Sequence, residues 1–516
     1  TGNTAHIWQL AQQHREKLQF ATIFDPRCIN KALRSHEAVE DAIEWCRSMG
    51  VTRAYLETFR MGRFSEPEVL RQVRDDFSAE GFDVAGGVTT NFLGKTSTGW
   101  NMCCCYSDDA SRAGLRKAFR QAAEMFDLLM IDDFFFTDCE CERCREAKGD
   151  RSWTEYRCEL MLRVAREDIL ETVKAVNPDC RVILKFPQWL DILHYRGYDT
   201  LRETKIFDYV YMGTEARDQD HEEDLPFTVP WQSYYLMAWL KEHAPEKCLG
   251  GWFDAIATSA PTFVEQAVQT VLARPGEIML FSYSGLRKRE RDGENQTEAF
   301  RAVLPELFEL AELVQHRKPH GLAAPQPHQP EPGNEVAFMP FMGMFGVPLL
   351  PSPNLSTDAP GAFASVHAAG DPDMLATLRT MIDDGKPVVA TAGLARNFDL
   401  DSTPPPNLIV LPETTDPFHY LELPREQLEA IRHTALQPLG LKMEATAEIA
   451  CWLFGSDLVG LANFTDEPAA IHLDFENHHG LELLLAIPRR AITCQTSQST
   501  LKTTLPGRTF AAFKAH

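Results

Sequence analysis

Residues 126–133, FDLLMIDD, form a short apolar run that ends in two aspartates, and runs of this kind recur through the first part of the chain. Seven others lie at residues 18–25, 51–58, 82–90, 180–186, 207–214, 248–254 and 277–284. Amphipathic segments separate them, including residues 36–48, 66–80, 109–125, 154–176 and 261–273. Short apolar runs between segments of helical periodicity predict strands that alternate with helices.

Eight strand–helix units over about 300 residues predict a (β/α)8 TIM barrel, an α/β fold, in residues 1–318. An open, doubly wound sheet is the alternative interpretation. Such a sheet seldom contains eight regular units, and no Gly-x-Gly-x-x-Gly motif follows the first predicted strand. The pattern therefore favours the closed barrel.

The composition changes after the predicted barrel. Residues 319–334 are rich in proline and predict a linker. Residues 335–440 alternate between strand and helix patterns, which predicts a small α/β domain, and they contain no cysteine that could act as a thiol nucleophile. Short strands in residues 441–516 predict a β-sandwich. The chain of 516 residues is therefore expected to fold into three domains, as its length also suggests.

The charge of the chain excludes some partners and indicates a compartment. A net charge of −23 repels phosphate backbones and anionic membranes, so neither nucleic acid nor a membrane is an expected partner. The 13 cysteines are dilute and clustered, which indicates reduced thiols and a cytoplasmic protein. Residues 1–15 lack the layout of a secretion signal, although a signal removed before residue 1 would leave the same sequence.

The carboxyl ends of the predicted barrel strands carry acidic and aromatic residues, and chemistry in such barrels lies at these ends. Aromatic rings stack on the apolar faces of sugars, and two carboxyl groups divide the catalytic roles at a glycosidic bond. The pattern therefore predicts a glycosidase that acts on a small oligosaccharide or glycoside. The candidate catalytic residues are Asp133, Glu215 and Asp254. The candidate substrate-binding residues are Asp25, Glu57, Asp132, Lys185, Trp189, Arg217, Trp252 and Tyr283.

Some of these carboxylates also have structural interpretations. A lone acidic residue at a strand end, such as Asp25, often caps the next loop or helix. Glu215 could anchor a loop by pairing with Arg217. Adjacent strand residues point to opposite faces, so we expect only one of Asp132 and Asp133 to face the barrel axis, and we favour Asp133.

Lys185 allows a different chemistry. A lysine on a barrel strand is costly to bury without a carboxylate partner, and it could position the nucleophile or a sugar hydroxyl. A buried lysine can also act as a Schiff-base amine. The alternatives to a glycosidase are therefore a lysine-dependent lyase or aldolase, and a sugar-binding barrel without catalytic activity.

The cysteine spacing indicates a metal. Cys139, Cys141 and Cys144 follow the fourth predicted strand in a Cys-x-Cys-x-x-Cys pattern that suits Zn²⁺, which then needs a fourth ligand. One of the three consecutive cysteines at 103–105, in the preceding loop, can supply it. Four thiolates leave no open coordination position, so a structural zinc is favoured over a catalytic one, and free thiols are the alternative. No organic cofactor is expected.

Two stretches carry a family resemblance. Residues 105–114, CYSDDASRAG, and residues 138–144, DCECERC, resemble the cysteine motifs of glycoside hydrolase family 42. The resemblance implies that Cys105, and not Cys103 or Cys104, is the fourth zinc ligand. It also implies a barrel that hydrolyses glycosides, followed by an amidotransferase-like domain that forms a homotrimer and by a small β-domain.

The catalytic positions depart from the family pattern. Family 42 carries an Asn-Glu pair at the end of strand 4, where this chain has Asp132 and Asp133, and a nucleophilic Glu on strand 7, where this chain has Asp254. β-Galactosidase activity is therefore not implied. An Asp after strand 4 with a carboxylate after strand 6 resembles α-glycosidase barrels, which favours Asp133 with Glu215. Asp133 with Asp254 is the alternative pair.

Overall fold

A computed structural model of the chain describes residues 2–218, 228–398, 404–476, 480–497 and 499–516. These residues divide into two compact units. The first contains the described residues within 1–214, 244–255 and 275–301, and the second contains those within 215–243, 256–274 and 302–516. Among the described residues, no helix combines the length and the apolar character that a membrane span requires.

The first unit contains eight parallel strands that close into a barrel. They are β1 (Gln19–Phe24), β2 (Val51–Arg60), β3 (Asp83–Val88), β4 (Leu128–Ile131), β5 (Arg181–Phe186), β6 (Tyr209–Gly213), β7 (Cys248–Asp254) and β8 (Glu277–Phe281). Each strand pairs with the next, and β1 pairs with both β2 and β8, which closes the sheet. The prediction of a (β/α)8 barrel is confirmed.

Helices follow the barrel strands in the order that the sequence predicts. The α-helices of this unit are Gly2–His14, Pro26–Ala32, His36–Ser48, Pro67–Ala79, Asp109–Ala123, Glu142–Lys148, Trp153–Val164, Glu171–Val176, Thr200–Ile206 and Tyr283–Arg291. A π-helical segment, Ala165–Leu170, a 3-10 helix, Leu190–Arg196, and a short strand, Arg63–Phe64, complete it. Helix Gln296–Val314 begins in the first unit and continues into the second.

The interior of the barrel is filled by side chains. Tyr55, Met130, Ile183, Tyr211 and Trp252 belong to one buried cluster to which all eight strands contribute core residues. Such a core leaves no open channel along the axis, so a substrate can reach the barrel only at its ends.

The second unit contains a parallel sheet. Its strands are β9 (Leu322–Pro325), β10 (Leu349–Ser352), β11 (Ala362–Ala364), β12 (Val388–Ala390) and β13 (Leu408–Val410), in the spatial order β10-β9-β11-β12-β13. Helices Gln232–His243, Ala260–Leu272, Phe338–Met342, Pro372–Asp383, Ala392–Ala395 and Arg425–Leu436 belong to this unit, with 3-10 helices Val366–Gly370, Pro417–Tyr420 and Gln437–Leu439.

Two antiparallel sheets follow in the same unit. One has the strands Pro319–His320, Ile449–Phe454, Leu458–Asn463, Thr509–Ala515 and Leu481–Ile487 in that spatial order. The other has Leu441–Glu444, Ala469–Phe475, Thr500–Leu505 and Thr493–Thr496. These sheets agree with the strands that the sequence predicts after residue 440.

The first part of the predicted proline-rich linker is folded into strands. Pro319 and His320 pair with Phe454 and Leu453, and β9 lies inside the parallel sheet. Between them, a Cβ at Gly321 would lie 2.3 Å from the carbonyl oxygen of Pro348, so glycine is needed there. Proline is compatible with the first residue of an edge strand, which a compositional argument does not reveal.

Candidate active site

Polar residues from four adjacent strands, β2 to β5, meet at the carboxyl end of the barrel, and those of β2, β4 and β5 are charged. Strand β4 ends at Ile131, and the two residues that follow are Asp132 and Asp133. Lys185, on β5, is 2% exposed, and its Nζ lies 2.7 Å from Oδ2 of Asp133 and 3.5 Å from Oδ1 of Asp132. One buried ammonium group therefore holds both carboxylates.

Both aspartates face the lysine, although alternation along a strand predicts that only one would. The alternation rule does not reach them because β4 ends before Asp132. Oδ1 of Asp132 accepts a hydrogen bond from the Asp133 main-chain N–H at 2.8 Å, and the Tyr198 hydroxyl donates to the Asp133 carbonyl at 2.9 Å. These bonds fix the turn that directs both carboxylates inward. Asp132 is buried, whereas the Asp133 side chain is 17% exposed.

Arg60, at the end of β2, links a second pair of carboxylates. Its Nη1 donates to Glu57 Oε1 at 3.0 Å, to Asp132 Oδ2 at 2.9 Å and to the Thr89 hydroxyl oxygen at 2.8 Å. The Thr89 hydroxyl lies 2.5 Å from Glu57 Oε1 and 3.3 Å from Asp132 Oδ2. Glu57, Arg60, Asp132 and Lys185 thus form a chain of alternating charges.

Neither Arg60 nor Thr89 is among the site residues predicted from the sequence. Residues 57 and 60 of a regular strand point to opposite faces. The pairing of β2 with β3 shifts register between Glu57 and Phe59, and this irregularity brings Arg60 to the side of Glu57. The only signal in the sequence is that Thr89 lies at the end of the third predicted strand, residues 82–90, and that Arg60 lies two residues after the second, residues 51–58.

Burial and the neighbouring charges together shift the pKa values of Glu57 and Asp132 in opposite directions. Burial raises the pKa of Glu57 to about 7, opposed by Arg60 and reinforced by the Asp132 carboxylate. Burial also acts on Asp132, but Lys185 and Arg60 outweigh it and lower the pKa of Asp132. Asp132 is therefore an anion at neutral pH, whereas Glu57 is close to half protonated.

Aromatic rings cover the two cations. The Lys185 ammonium lies 4.1 Å from the centre of the Trp252 ring, and Trp252 stacks on Phe281 at 5.2 Å between ring centres. The Arg60 guanidinium lies 5.1 Å from the centre of the Phe281 ring. Cation–π contacts of this kind stabilise charges that have little access to water.

Trp189 lies in a separate aromatic group beyond β5. It is half-buried, contacts Phe136 edge-on at 5.5 Å between ring centres, and has the Arg196 guanidinium 4.7 Å from its own ring centre. Arg196 also lies 5.2 Å from the Phe136 ring centre. Part of the Trp189 ring remains accessible for stacking.

Two of the predicted substrate-binding residues, Asp25 and Tyr283, contact neighbouring residues of the barrel in ways that support its structure. Asp25 caps helix Pro26–Ala32 by accepting from the main-chain N–H groups of residues 27 and 28, and its Oδ2 accepts from the Ser284 hydroxyl at 2.7 Å. Tyr283 is 9% exposed and packs against Phe24 and Trp45, with ring centres 4.6 and 5.1 Å away. The contacts of Asp25 are those of a helix cap.

The other predicted residues lie at the ends of β6 and β7. Asp254 is the last residue of β7 and is 4% exposed. Glu215 and Arg217 follow β6 and belong to the second unit, in which Glu215 is 3% exposed and its carbonyl accepts from the Gln232 side chain. The main-chain N–H of Arg217 donates to the Thr228 hydroxyl oxygen at 3.1 Å.

Four cysteines of the first unit converge on one point. The sulfur atoms of Cys105, Cys139, Cys141 and Cys144 all lie within 4.8 Å of one another. Cys105 lies 3.8 Å from Cys141 and 3.6 Å from Cys144, and the last two are 3.7 Å apart, all measured between Sγ atoms. A tetrahedral ion with metal–sulfur bonds of about 2.3 Å needs sulfur atoms about 3.8 Å apart. The cluster can therefore hold a metal ion, and it includes the cysteine that the family resemblance selects.

Comparison with a family model gives a match over the barrel. Residues 5–329 match the model described as a probable glycosyl hydrolase, catalytic domain. An uncharacterized protein of Saccharolobus solfataricus is 25% identical over 316 residues, which are 54% of this chain and 50% of that protein. The match therefore spans about half the length of this curated relative.

Solved structures with the same architecture are similar to nearly the whole chain. A catalytic mutant of a GH42 β-galactosidase from G. stearothermophilus has a TM-score of 0.64 at 10% identity, over 97% of this chain and 98% of that one. A β-galactosidase from Rahnella sp. R3 has a TM-score of 0.55 at 10% identity, with the same coverage. At these identities, the similarity shows a shared fold.

Proposed function

The chain belongs to the family of probable glycosyl hydrolase catalytic domains, and we propose that it hydrolyses a small oligosaccharide or glycoside with two carboxyl groups at the carboxyl end of its barrel. The observation that carries this mechanism is the ion pair between Asp133 and the buried Lys185, 2.7 Å apart. It gives the barrel an ionised, partly accessible carboxylate at the position where such barrels perform chemistry.

Asp133 is the proposed nucleophile or base. It is more exposed than Asp132 and Glu57, both of which are buried and held by Arg60. In a retaining reaction, Asp133 would attack the anomeric carbon while a second carboxylic acid protonates the departing oxygen. The second group would then deprotonate the water that releases the sugar. In an inverting reaction, Asp133 would instead activate that water.

The second carboxyl group is proposed to be Glu215 or Asp254. Both side chains are buried. Glu215 follows β6, and Asp254 is the last residue of β7. We rank Glu215 first because its position after β6 fits the α-glycosidase pattern.

The remaining predicted residues are proposed to bind or support. Trp189 offers a half-buried ring for an apolar sugar face. Trp252 is 2% exposed and would act through Lys185, whose ammonium group it covers. Glu57 and Asp132 would hold Arg60 and Lys185 in place.

The geometry favours this chemistry over a lysine-dependent lyase. A Schiff-base amine must lose its proton before it attacks a carbonyl group. Asp133 and Asp132 lie 2.7 and 3.5 Å from Lys185 Nζ, and two carboxylates at these distances stabilise the ammonium form. The lysine is therefore better placed to position a carboxylate than to attack substrate.

We also propose that the four-cysteine cluster binds a structural Zn²⁺. The spacing of its sulfur atoms fits a tetrahedral ion, and four thiolates leave no position for substrate. The ion would join the loop that contains Cys105 to the loop that carries Cys139, Cys141 and Cys144. Both loops lead from strands that flank the site, so the zinc would fix the mouth of the barrel.

The resemblance to family 42 supports a homotrimer. The parallel sheet within residues 322–410 has the α/β character that the resemblance implies for the trimerisation domain. We propose that this domain joins three copies of the chain. The solution mass, measured by light scattering, should equal about three times 58.3 kDa, and a monomeric mass would contradict the proposal.

Hydrolysis of a panel of α- and β-linked nitrophenyl glycosides tests the proposed function. The wild type should release nitrophenol from at least one sugar. Asp133→Asn and one of Glu215→Gln and Asp254→Asn should lower kcat at least 1000-fold. Asp127→Asn is the matched control because Asp127 is exposed at the opposite end of β4. Full activity of Asp133→Asn would refute the assignment, and the anomer released first, read by NMR, would separate retention from inversion.

A further inference from the structure

The parallel sheet of the second unit has a topology that creates a second binding position. Numbered along the chain, its strands lie in the order 2-1-3-4-5, with β9 as strand 1 and β11 as strand 3. Neighbouring loops at the carboxyl ends of strands 1 and 3 therefore run in opposite directions, which opens a crevice between them. In open α/β sheets, ligands bind at this switch point.

A cavity of about 450 Å³ lies at that position. Its walls include Glu335 from the connection after β9, Val366 after β11, Gly393 after β12, and Glu413 and Thr415 after β13. The connections after four parallel strands thus meet around one space. Its volume falls within the range of about 300–1,000 Å³ that is usual for small-molecule sites.

The base of the cavity is closed to anions. The Glu335 carboxylate accepts hydrogen bonds from the main-chain N–H groups of Val366 and Gly393, both at 2.9 Å, and from the Thr391 hydroxyl at 2.6 Å. These N–H groups would otherwise be the donors for a phosphate or carboxylate. A methyl group on Gly393 would lie 2.2 Å from Glu335 Oε1, so the carboxylate fills this position closely.

The polar groups of the rim are balanced in charge. Arg396 Nη1 lies 2.9 Å from Glu413 Oε1, so the guanidinium already has an anionic partner. Thr415 and Asn334 add a hydroxyl and an amide. The rim therefore offers hydrogen-bond donors and acceptors but no net positive charge, which suits a neutral ligand that is rich in hydroxyl groups.

We propose that this switch-point cavity binds a neutral monosaccharide, separately from the site in the barrel. The choice of a sugar rests on the proposed function of the barrel, whereas the cavity and its exclusion of anions do not. A single sugar ring is small enough for the space. Its vicinal hydroxyls can bond to both members of the Arg396–Glu413 pair.

Calorimetric titration of the full chain with D-galactose, D-glucose, D-mannose and inorganic phosphate tests the proposal. The wild type is compared with Thr415→Trp, which fills the cavity from its exposed rim. Thr380→Trp is the matched control because Thr380 is exposed on helix Pro372–Asp383 of the same unit. At least one sugar should bind, and Thr415→Trp should weaken one class of sites at least 10-fold, whereas Thr380→Trp should not.

Three results would overturn the proposal: no sugar binds, all sugar binding survives Thr415→Trp, or phosphate alone binds in the cavity. If the barrel lacks the proposed hydrolytic activity, the result is different. In that case the nitrophenyl glycosides are not cleaved by the wild type, but the sugar titration still shows a class of sites that Thr415→Trp removes. Circular dichroism of Thr415→Trp confirms that the variant is folded.

Discussion

The ammonium nitrogen of Lys185 lies 2.7 Å from Oδ2 of Asp133, in a position where the lysine is 2% exposed. A buried charge of this kind is stable only with its partners in place. The same nitrogen lies 3.5 Å from Asp132, so removal of the lysine would leave two carboxylates without their shared cation. The ion pair therefore connects the stability of the barrel to the ionisation of its proposed nucleophile.

Lys185→Met should lower both activity and stability. We expect kcat on the best nitrophenyl glycoside to fall at least 100-fold, and the free energy of unfolding to fall by about 3–5 kcal/mol, as when one partner of a buried pair is removed. Lys205→Met, at an exposed position, is the control. Chemical denaturation and steady-state kinetics give the two quantities, and unchanged kcat in a folded Lys185→Met protein would contradict the role of the pair.

Arg60→Lys should impair the site while it preserves the charge. All three contacts, to Glu57, Thr89 and Asp132, come from Nη1 at the far end of the side chain. A lysine has the donors for them, but its side chain is shorter and lacks the planar group that lies over the Phe281 ring. We expect kcat to fall 10- to 100-fold with a smaller change in KM, because the effect is on the position of the carboxylates. Arg63→Lys, three residues further along and exposed, should retain wild-type kinetics. Equal losses in both variants would argue against a specific role for Arg60.

Glu57 should make the stability of the protein depend on pH. Its pKa is about 7 in the native state, because of burial, against 4.5 for the ordinary side chain. Between these values the native state holds a proton that the unfolded state has lost, so stability falls as pH rises from about 4.5 to 7. Above pH 7, Glu57 adds no further change. The total over this range is about 3.4 kcal/mol, at about 1.4 kcal/mol per pH unit.

Urea denaturation at pH 4.5, 6 and 7.5 measures this effect. Glu57→Gln keeps the shape of the side chain but cannot ionise, so its stability relative to the wild type should increase across this range. Glu167→Gln, in a pair on the surface with Arg112, is the control and should follow the wild type. A constant difference between Glu57→Gln and the wild type at all three pH values would show that Glu57 has an ordinary pKa.

Substitution of a cysteine should remove zinc only when that cysteine belongs to the four-cysteine cluster. Elemental analysis should find about one zinc ion per chain in the wild type and almost none in Cys141→Ser, whose melting temperature should fall by several degrees. Cys103→Ser is the matched control, since Cys103 is buried nearby but lies outside the cluster. Full zinc content in Cys141→Ser would contradict the assignment, as would zinc loss in Cys103→Ser.

The barrel and part of its site could be predicted from the sequence because their signals are local. Each strand is an apolar run, and Asp133 and Lys185 were selected from their positions at strand ends. The inward direction of Asp132 could not be predicted, because it depends on where β4 ends. The role of Arg60 depends on a register shift between β2 and β3. The register between two strands cannot be predicted from the sequence of either strand alone.

Tyr55→Phe should separate stability from activity, because the hydroxyl of Tyr55 bonds near the amino end of the barrel. It donates to Oε1 of Glu277, the first residue of β8, at 2.7 Å, and the Tyr211 hydroxyl donates to the same oxygen at 2.5 Å. Glu277 also pairs with Arg53. All of these groups except Arg53 are fully buried, so the loss of one bond to a charged acceptor should cost about 1.5–3 kcal/mol.

The kinetic constants of Tyr55→Phe should remain within twofold of the wild type at 25 °C, since the residues of the amino end of a barrel contribute to stability rather than catalysis. Denaturation curves give the first quantity and nitrophenyl glycoside hydrolysis gives the second. Tyr209→Phe, whose hydroxyl accepts from Arg181 at the surface, is the control and should change neither. A large fall in kcat for a folded Tyr55→Phe protein would mean that the polar groups at the two ends of the barrel are coupled.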